Sequence, residues 1–132
     1  DGYGDGYGYG YGDGSGYGYG YGDQNKREFL FALLQKYGDG REGVVFAFMK
    51  TDKDGLPANG GSGTAAFIGK KESVEGRPLL LCSAQALHAT FDPSKWIGTR
   101  LWIVALSHPV IFEGDKCGSL QREVIAELPF CL

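Results

Sequence analysis

Glycine occupies every even position from Gly2 to Gly22, with only Tyr, Asp and Ser between. A period of two is that of a β-strand, whose successive side chains point to opposite faces. Extended, the tract presents bare backbone on one face and a tyrosine row on the other: Tyr3, Tyr7, Tyr9, Tyr11, Tyr17, Tyr19 and Tyr21. Collagen and polyglycine II repeat on threes, so neither fits. Composition alone describes a solvated Gly-rich tail. The unbroken period favours an ordered β-like element that packs between chains.

The tract also mirrors itself about Gly14: Tyr11 with Tyr17, Tyr9 with Tyr19, Tyr7 with Tyr21, Asp5 with Asp23. An antiparallel hairpin turning at Asp13-Gly14-Ser15 places these pairs opposite one another, glycine supplying the positive φ of such turns. A lone hairpin is marginal in water. A Gly/Tyr ribbon gains stability by stacking on neighbours, as in cross-β assemblies. The aspartates have no base beside them, so in-register stacking repels unless they sit at turns.

Composition changes sharply after residue 24, dividing the chain into a low-complexity tract (1–24) and a domain (25–132). The tract holds four acids and no base; the rest holds twelve acids and thirteen bases. No basic stripe emerges, which argues against a nucleic-acid partner. The longest apolar run, Val44–Met49, is far too short to span a bilayer. An initiator Met and a signal-peptide pattern are both missing, so a processed product or a fragment is expected. Cys82, Cys117 and Cys131 have no CxxC spacing and only His88 and His108 to join them, so no metal site is expected and reduced core thiols are favoured.

The domain reads as α+β, a small, mostly antiparallel sheet with one amphipathic helix. Phe29, Leu30, Leu33, Leu34 and Tyr37 recur at helical spacing, predicting a helix over 26–37 capped by Asp23 or Asn25 and stopped by Gly38. Gly43–Met49 reads as a strand apolar on both faces, hence central. Asp52-Lys53-Asp54-Gly55 lies in a long polar loop and lacks the downstream glutamate of a calcium site, so a plain turn is expected. Short strands are predicted at Thr64–Ile68 and Leu79–Cys82, with a turn between them at Glu75–Pro78. Asp92-Pro93 opens a helical turn. Arg100–Leu106 is a strand, with Leu101, Ile103 and Ala105 on one face and Trp102, Val104 and Leu106 on the other. Glu113–Lys116 is a turn, and Arg122–Leu128 closes the domain as strand or short helix.

The order Cys82-x-x-x-x-Leu87-His88-Ala89, Asp92-Pro93, Arg100-x-Trp102-x-Val104, Gly114-Asp115-Lys116 and Arg122-Glu123 resembles an uncharacterised domain of phage and bacterial proteins. Relatives of that family are often fused to low-complexity runs, some of them Gly-Tyr. The similarity spans Gly43 to Leu128, with Ala86 standing where the family has glycine. It implies a fold and carries no reaction.

A Leu-His-Ala strand followed by an Asp-Pro turn is also loosely similar to ADP-ribosyltransferase-like folds. That resemblance implies a nucleotide-linked enzyme or ligand-binding domain with a dispensable leader. Its possible ligand site is His88, Arg100 and Trp102, with His88 orienting a ribose, Arg100 or Arg122 on phosphate and Glu123 or Glu127 as the acid. Each has a plainer role: a hydrogen-bonded core histidine, and adjacent Arg122 and Glu123 on opposite faces of a strand. Gly60-Gly61-Ser62-Gly63 is neither a P-loop nor GxGxxG, so no cofactor is expected. No nucleophile–base signature stands out, so no catalytic residue is assigned. The expected function is structural: a self-assembling component of an extracellular filament or a virion, on a cell or virion surface.

Overall fold

The computed structural model describes residues 20–59, 63–75 and 86–132, with side chains from Asn25 onward. Most of the tract, the loop at 60–62 and the predicted strand at Leu79–Cys82, Cys82 included, lie outside them.

The helix, α1 (Gly20–Tyr37), begins six residues before the predicted start at Lys26. Asp23 and Asn25 are therefore inside it rather than capping it, and Tyr21 belongs to a helix instead of a β-like ribbon. Helix propagation is cooperative once a strong segment nucleates it. Leu30, Leu33 and Leu34 are buried, whereas Phe29 and Phe31 are 51% and 61% exposed. The chain divides into two units between Ala32 and Leu33, within α1.

Gly38 ends the helix for reasons of space. Its amide donates to the Leu34 carbonyl at 2.9 Å. A Cβ there would sit 2.6 Å from that same oxygen and 3.3 Å from the Phe46 ring.

Leu33–Leu132 carries an entirely antiparallel seven-stranded sheet. Its strands are β1 (Val44–Thr51), β2 (Lys71–Ser73), β3 (Leu87–Thr90), β4 (Arg100–Ser107), β5 (Val110–Glu113), β6 (Lys116–Ser119) and β7 (Gln121–Glu127). The order is β2-β7-β4-β1-β3-β6-β5, which puts β1 at the centre. β1 and β4 pair along their whole lengths, from Val44 opposite Ser107 to Thr51 opposite Arg100. Both are apolar on both faces, and Leu101 to Leu106 are all buried.

The sheet curls back on itself. β1 meets β3 only at Phe48 opposite Thr90. Ser119 Oγ on β6 nevertheless donates to the Ser107 carbonyl on β4. In a flat sheet those strands would lie three spacings apart, about 14 Å. Curling encloses one face as the core: Ala47, Met49, Trp102, Val104, Leu106 and Val124 pack with Ala89 of β3 and Cys117 of β6.

One predicted strand is corrected, and one predicted turn is present with strands on either side. Thr64–Ile68 forms no strand, because the chain turns at Gly69 (φ +92°) and its hydrogen bonds to β7 begin only there, with the Gly69 amide on the Val124 carbonyl at 2.8 Å. The turn at Glu113–Lys116 joins two strands, β5 and β6, that periodicity did not reveal. The Arg122–Leu128 alternative resolves as strand, and Asp92 caps a short 3-10 turn at Pro93–Lys95 as expected, its carboxylate accepting from the Ser94 amide.

Candidate functional site

Arg100 and Trp102 are brought together; His88 is elsewhere. Arg100 opens β4 and places its guanidinium 4.7 Å from the centre of the Trp102 ring. Its Nε and Nη2 hold Glu127 as a fork at 2.8 and 2.9 Å. The fork suits a planar guanidinium facing a carboxylate. It lowers the pKa of Glu127, chiefly through those hydrogen bonds, and raises that of Arg100. Trp102 is 1% exposed, and its indole N–H donates to Thr51 Oγ1 at 2.9 Å. A base or sugar has no ring face to stack on there.

His88 sits on β3 opposite Gly118. Its carbonyl accepts from Arg122 Nη1 at 2.6 Å, and Arg122 lies on β7 opposite Leu106. Leu106 and Arg100 are six residues apart on β4, roughly 20 Å by strand rise. Partial burial lowers the His88 pKa, with Arg122 and Lys116 adding repulsion. The imidazole is thereby biased towards its neutral form.

The other charged candidates are tied into structure. Arg122 grips Glu72 Oε1 through Nε and Nη2 at 3.0 and 2.7 Å. Glu123, on the opposite face, accepts from Arg41 Nη1 at 2.7 Å, which lowers its pKa. The carbonyl of Asp115 accepts from the Phe91 amide at 2.7 Å and from Thr90 Oγ1 at 3.1 Å, anchoring the end of β3. Asp115 also holds Lys95 at 2.9 Å.

Asp52-Lys53-Asp54-Gly55 is a turn. Asp52 Oδ1 accepts from the amides of Asp54 and Leu56, and Gly55 takes φ +84°. Cys117 is a free buried thiol pushed up to about 12 by burial, and Cys131 is free and exposed. Among the described residues no three His, Cys, Asp or Glu side chains gather to hold a metal ion. Among the same residues, no helix is long and apolar enough to cross a membrane.

One buried group was not anticipated. Lys50, 4% exposed, lies on the central strand, and its ammonium donates to the carbonyls of Trp96 and Leu132. Its position directly after the apolar run Val44–Met49 is a signal that could have marked a buried stem, but the acceptors come from segments distant in sequence.

The sheet has two ends with different chemistry. β2 is three residues long and begins with Lys71, next to Lys70. β5 is Val110-Ile111-Phe112-Glu113; Phe112 is 56% exposed and stacks on Phe91 at 6.2 Å between ring centres. No family model, curated protein or solved structure matches the chain.

Proposed function

We propose that this chain is a structural, self-assembling protein in which the Gly/Tyr tract packs between subunits and the C-terminal domain decorates or locks the assembly. The observation that carries this reading is glycine at every even position from Gly2 to Gly22, with tyrosine the commonest residue between. Side chains alternating between none and aromatic let backbones approach closely on one face while rings stack on the other. A surface filament and a virion component, bacterial or phage, both make use of such a chain, and both place it outside the cell or on the particle surface.

The domain supports the reading through what its polar groups already do. Arg100 is held by Glu127, Arg122 by Glu72, and Trp102 is closed off from solvent. These contacts hold strands together, as a rigid decorating module requires, and they withdraw two of the three groups on which the nucleotide-binding alternative depends.

Size-exclusion chromatography and negative-stain microscopy of the purified chain test the proposal. Oligomers or fibres that grow with concentration are expected. A monomer without fibres at high concentration overturns it.

A further inference from the structure

We infer that the outer edge of β5 is the acceptor for the Gly/Tyr tract of a second copy, with residues 6–12 adding to it as a strand. This rests on the self-assembly reading and names the surface that reading needs.

A strand at the end of a sheet offers unpaired backbone groups, and proteins guard such edges with lysine, proline, shortness or cover. β2 is guarded: it is three residues long and carries Lys71, with Lys70 beside it. β5 is one residue longer, follows Pro109 and ends in Glu113, but has no lysine and no proline within it. Val110, Ile111 and Phe112 are consecutive and apolar, and more than half of Phe112 faces solvent.

The aromatic contacts at this edge point to an aromatic partner. Phe91 and Phe112 stack with only 12° between ring planes, and the exposure of Phe112 leaves its outer side available. A strand added to β5 lies 4.7–4.9 Å further out. A ring at every second residue of that strand continues the Phe91–Phe112 row. Residues 6–12 read Gly-Tyr-Gly-Tyr-Gly-Tyr-Gly, which supplies such rings on one face and bare backbone on the other. The bare face falls on the side of Ile111, whose own neighbour on β6 is Gly118.

Charge agrees. Residues 6–12 carry none, so docking on Val110–Phe112 strips no ion of water. The acidic tract as a whole meets a remainder in which bases exceed acids, thirteen to twelve. The similar run at residues 16–22 is the poorer donor, since α1 already takes it from Gly20. Edge addition by an extended segment is a recurring mode of recognition between chains.

Two full-length variants test this. Phe112→Lys removes the acceptor, and the combined Tyr7→Ser, Tyr9→Ser, Tyr11→Ser chain removes the donor. Sedimentation velocity is expected to show association weakened about tenfold or more in each alone, as loss of an aromatic cross-strand row at an interface predicts. Mixed in equal amounts, they are expected to form a one-to-one complex, since one supplies an intact tract and the other an intact edge. Assembly of Phe112→Lys at parental strength overturns the β5 acceptor while leaving self-assembly standing. Failure of the mixture to form the complex overturns donation between copies. A monomeric parent overturns both this inference and the function it rests on. Lys71→Glu, at the other edge, is expected to assemble like the parent, and equal weakening there would reassign the acceptor to β2.

Discussion

Arg122 reaches the backbone of His88, donating from Nη1 to its carbonyl at 2.6 Å, although β7 and β3 are three places apart in the sheet order. The same guanidinium holds Glu72 on β2. One side chain thus ties the guarded end of the sheet to the strand that curls over its core.

Replacing Arg122 by Ala is expected to destabilise the domain by roughly 1.5–3 kcal/mol, the usual range for hydrogen bonds to a charged group. Arg122→Lys should recover only part of this, because an ammonium cannot fork onto Glu72 while also reaching His88. Urea unfolding followed by tryptophan fluorescence reads both variants. Equal stability of parent and Ala variant would show the link to be idle.

Gly98 sits at φ +150°, and a Cβ there would lie 2.7 Å from the Thr51 carbonyl oxygen and 2.8 Å from Lys50 Cβ. Gly98→Ala is therefore expected to cost about 2–4 kcal/mol, combining backbone strain with a clash that neither strand atom can relieve. Gly114 also has positive φ but has open space around it, so Gly114→Ala should cost clearly less. Melting temperatures of the two variants side by side make the comparison, and equal losses would contradict it.

Leu33 is 8% exposed on α1. Truncation to Ala should destabilise by ~2–4 kcal/mol through lost burial and the cavity left behind. An unchanged melting temperature would remove this helix face from the core.

Acid should weaken the fold in two stages. His88 has its folded pKa below its ordinary 6.5, so its contribution is full above 6.5 and is lost as pH falls through the lower folded value. Glu123 and Glu127 are held below their ordinary 4.5 by Arg41 and Arg100, so their contribution is full above 4.5 and is lost as pH falls further. Both carboxylates still reach solvent, which screens the pairs and keeps the second stage small. His88→Gln should flatten the melting curve's pH dependence just below 6.5 and leave the lower stage intact. A His88→Gln profile that superimposes on the parent's would refute the first stage.

Changing Tyr9, Tyr11, Tyr17 and Tyr19 together to Ser should abolish assembly and leave the C-terminal domain folded. Serine keeps the period of two but removes the aromatic contact area. Gly10→Val with Gly18→Val should do the same by holding backbones apart, despite valine's preference for strands. Light scattering and circular dichroism together check both halves. Unimpaired assembly of both variants would mean that the tract is an inert leader.

Local patterns made much of the domain legible. Val44–Met49 announced a central strand by being apolar on both faces, and Arg100–Leu106 announced a second strand in the same way. Asp92 with Pro93 announced a capped turn. Each signal is complete within a few residues, because side-chain period and turn chemistry depend on nearest neighbours. The alternation of Gly2–Gly22 is likewise a property of sequence alone. Tertiary structure decided what lies far apart along the chain. It sent β7 rather than β3 to pair with β4, curled β6 over the core, and divided Arg100 from His88. Among the described residues it also left β5 at an end of the sheet beside Phe112, something no window around Val110 could reveal, because an edge is defined by which strands pair and which do not. α1 likewise runs through the composition change at Asp23, because helical hydrogen bonding propagates from residue to residue.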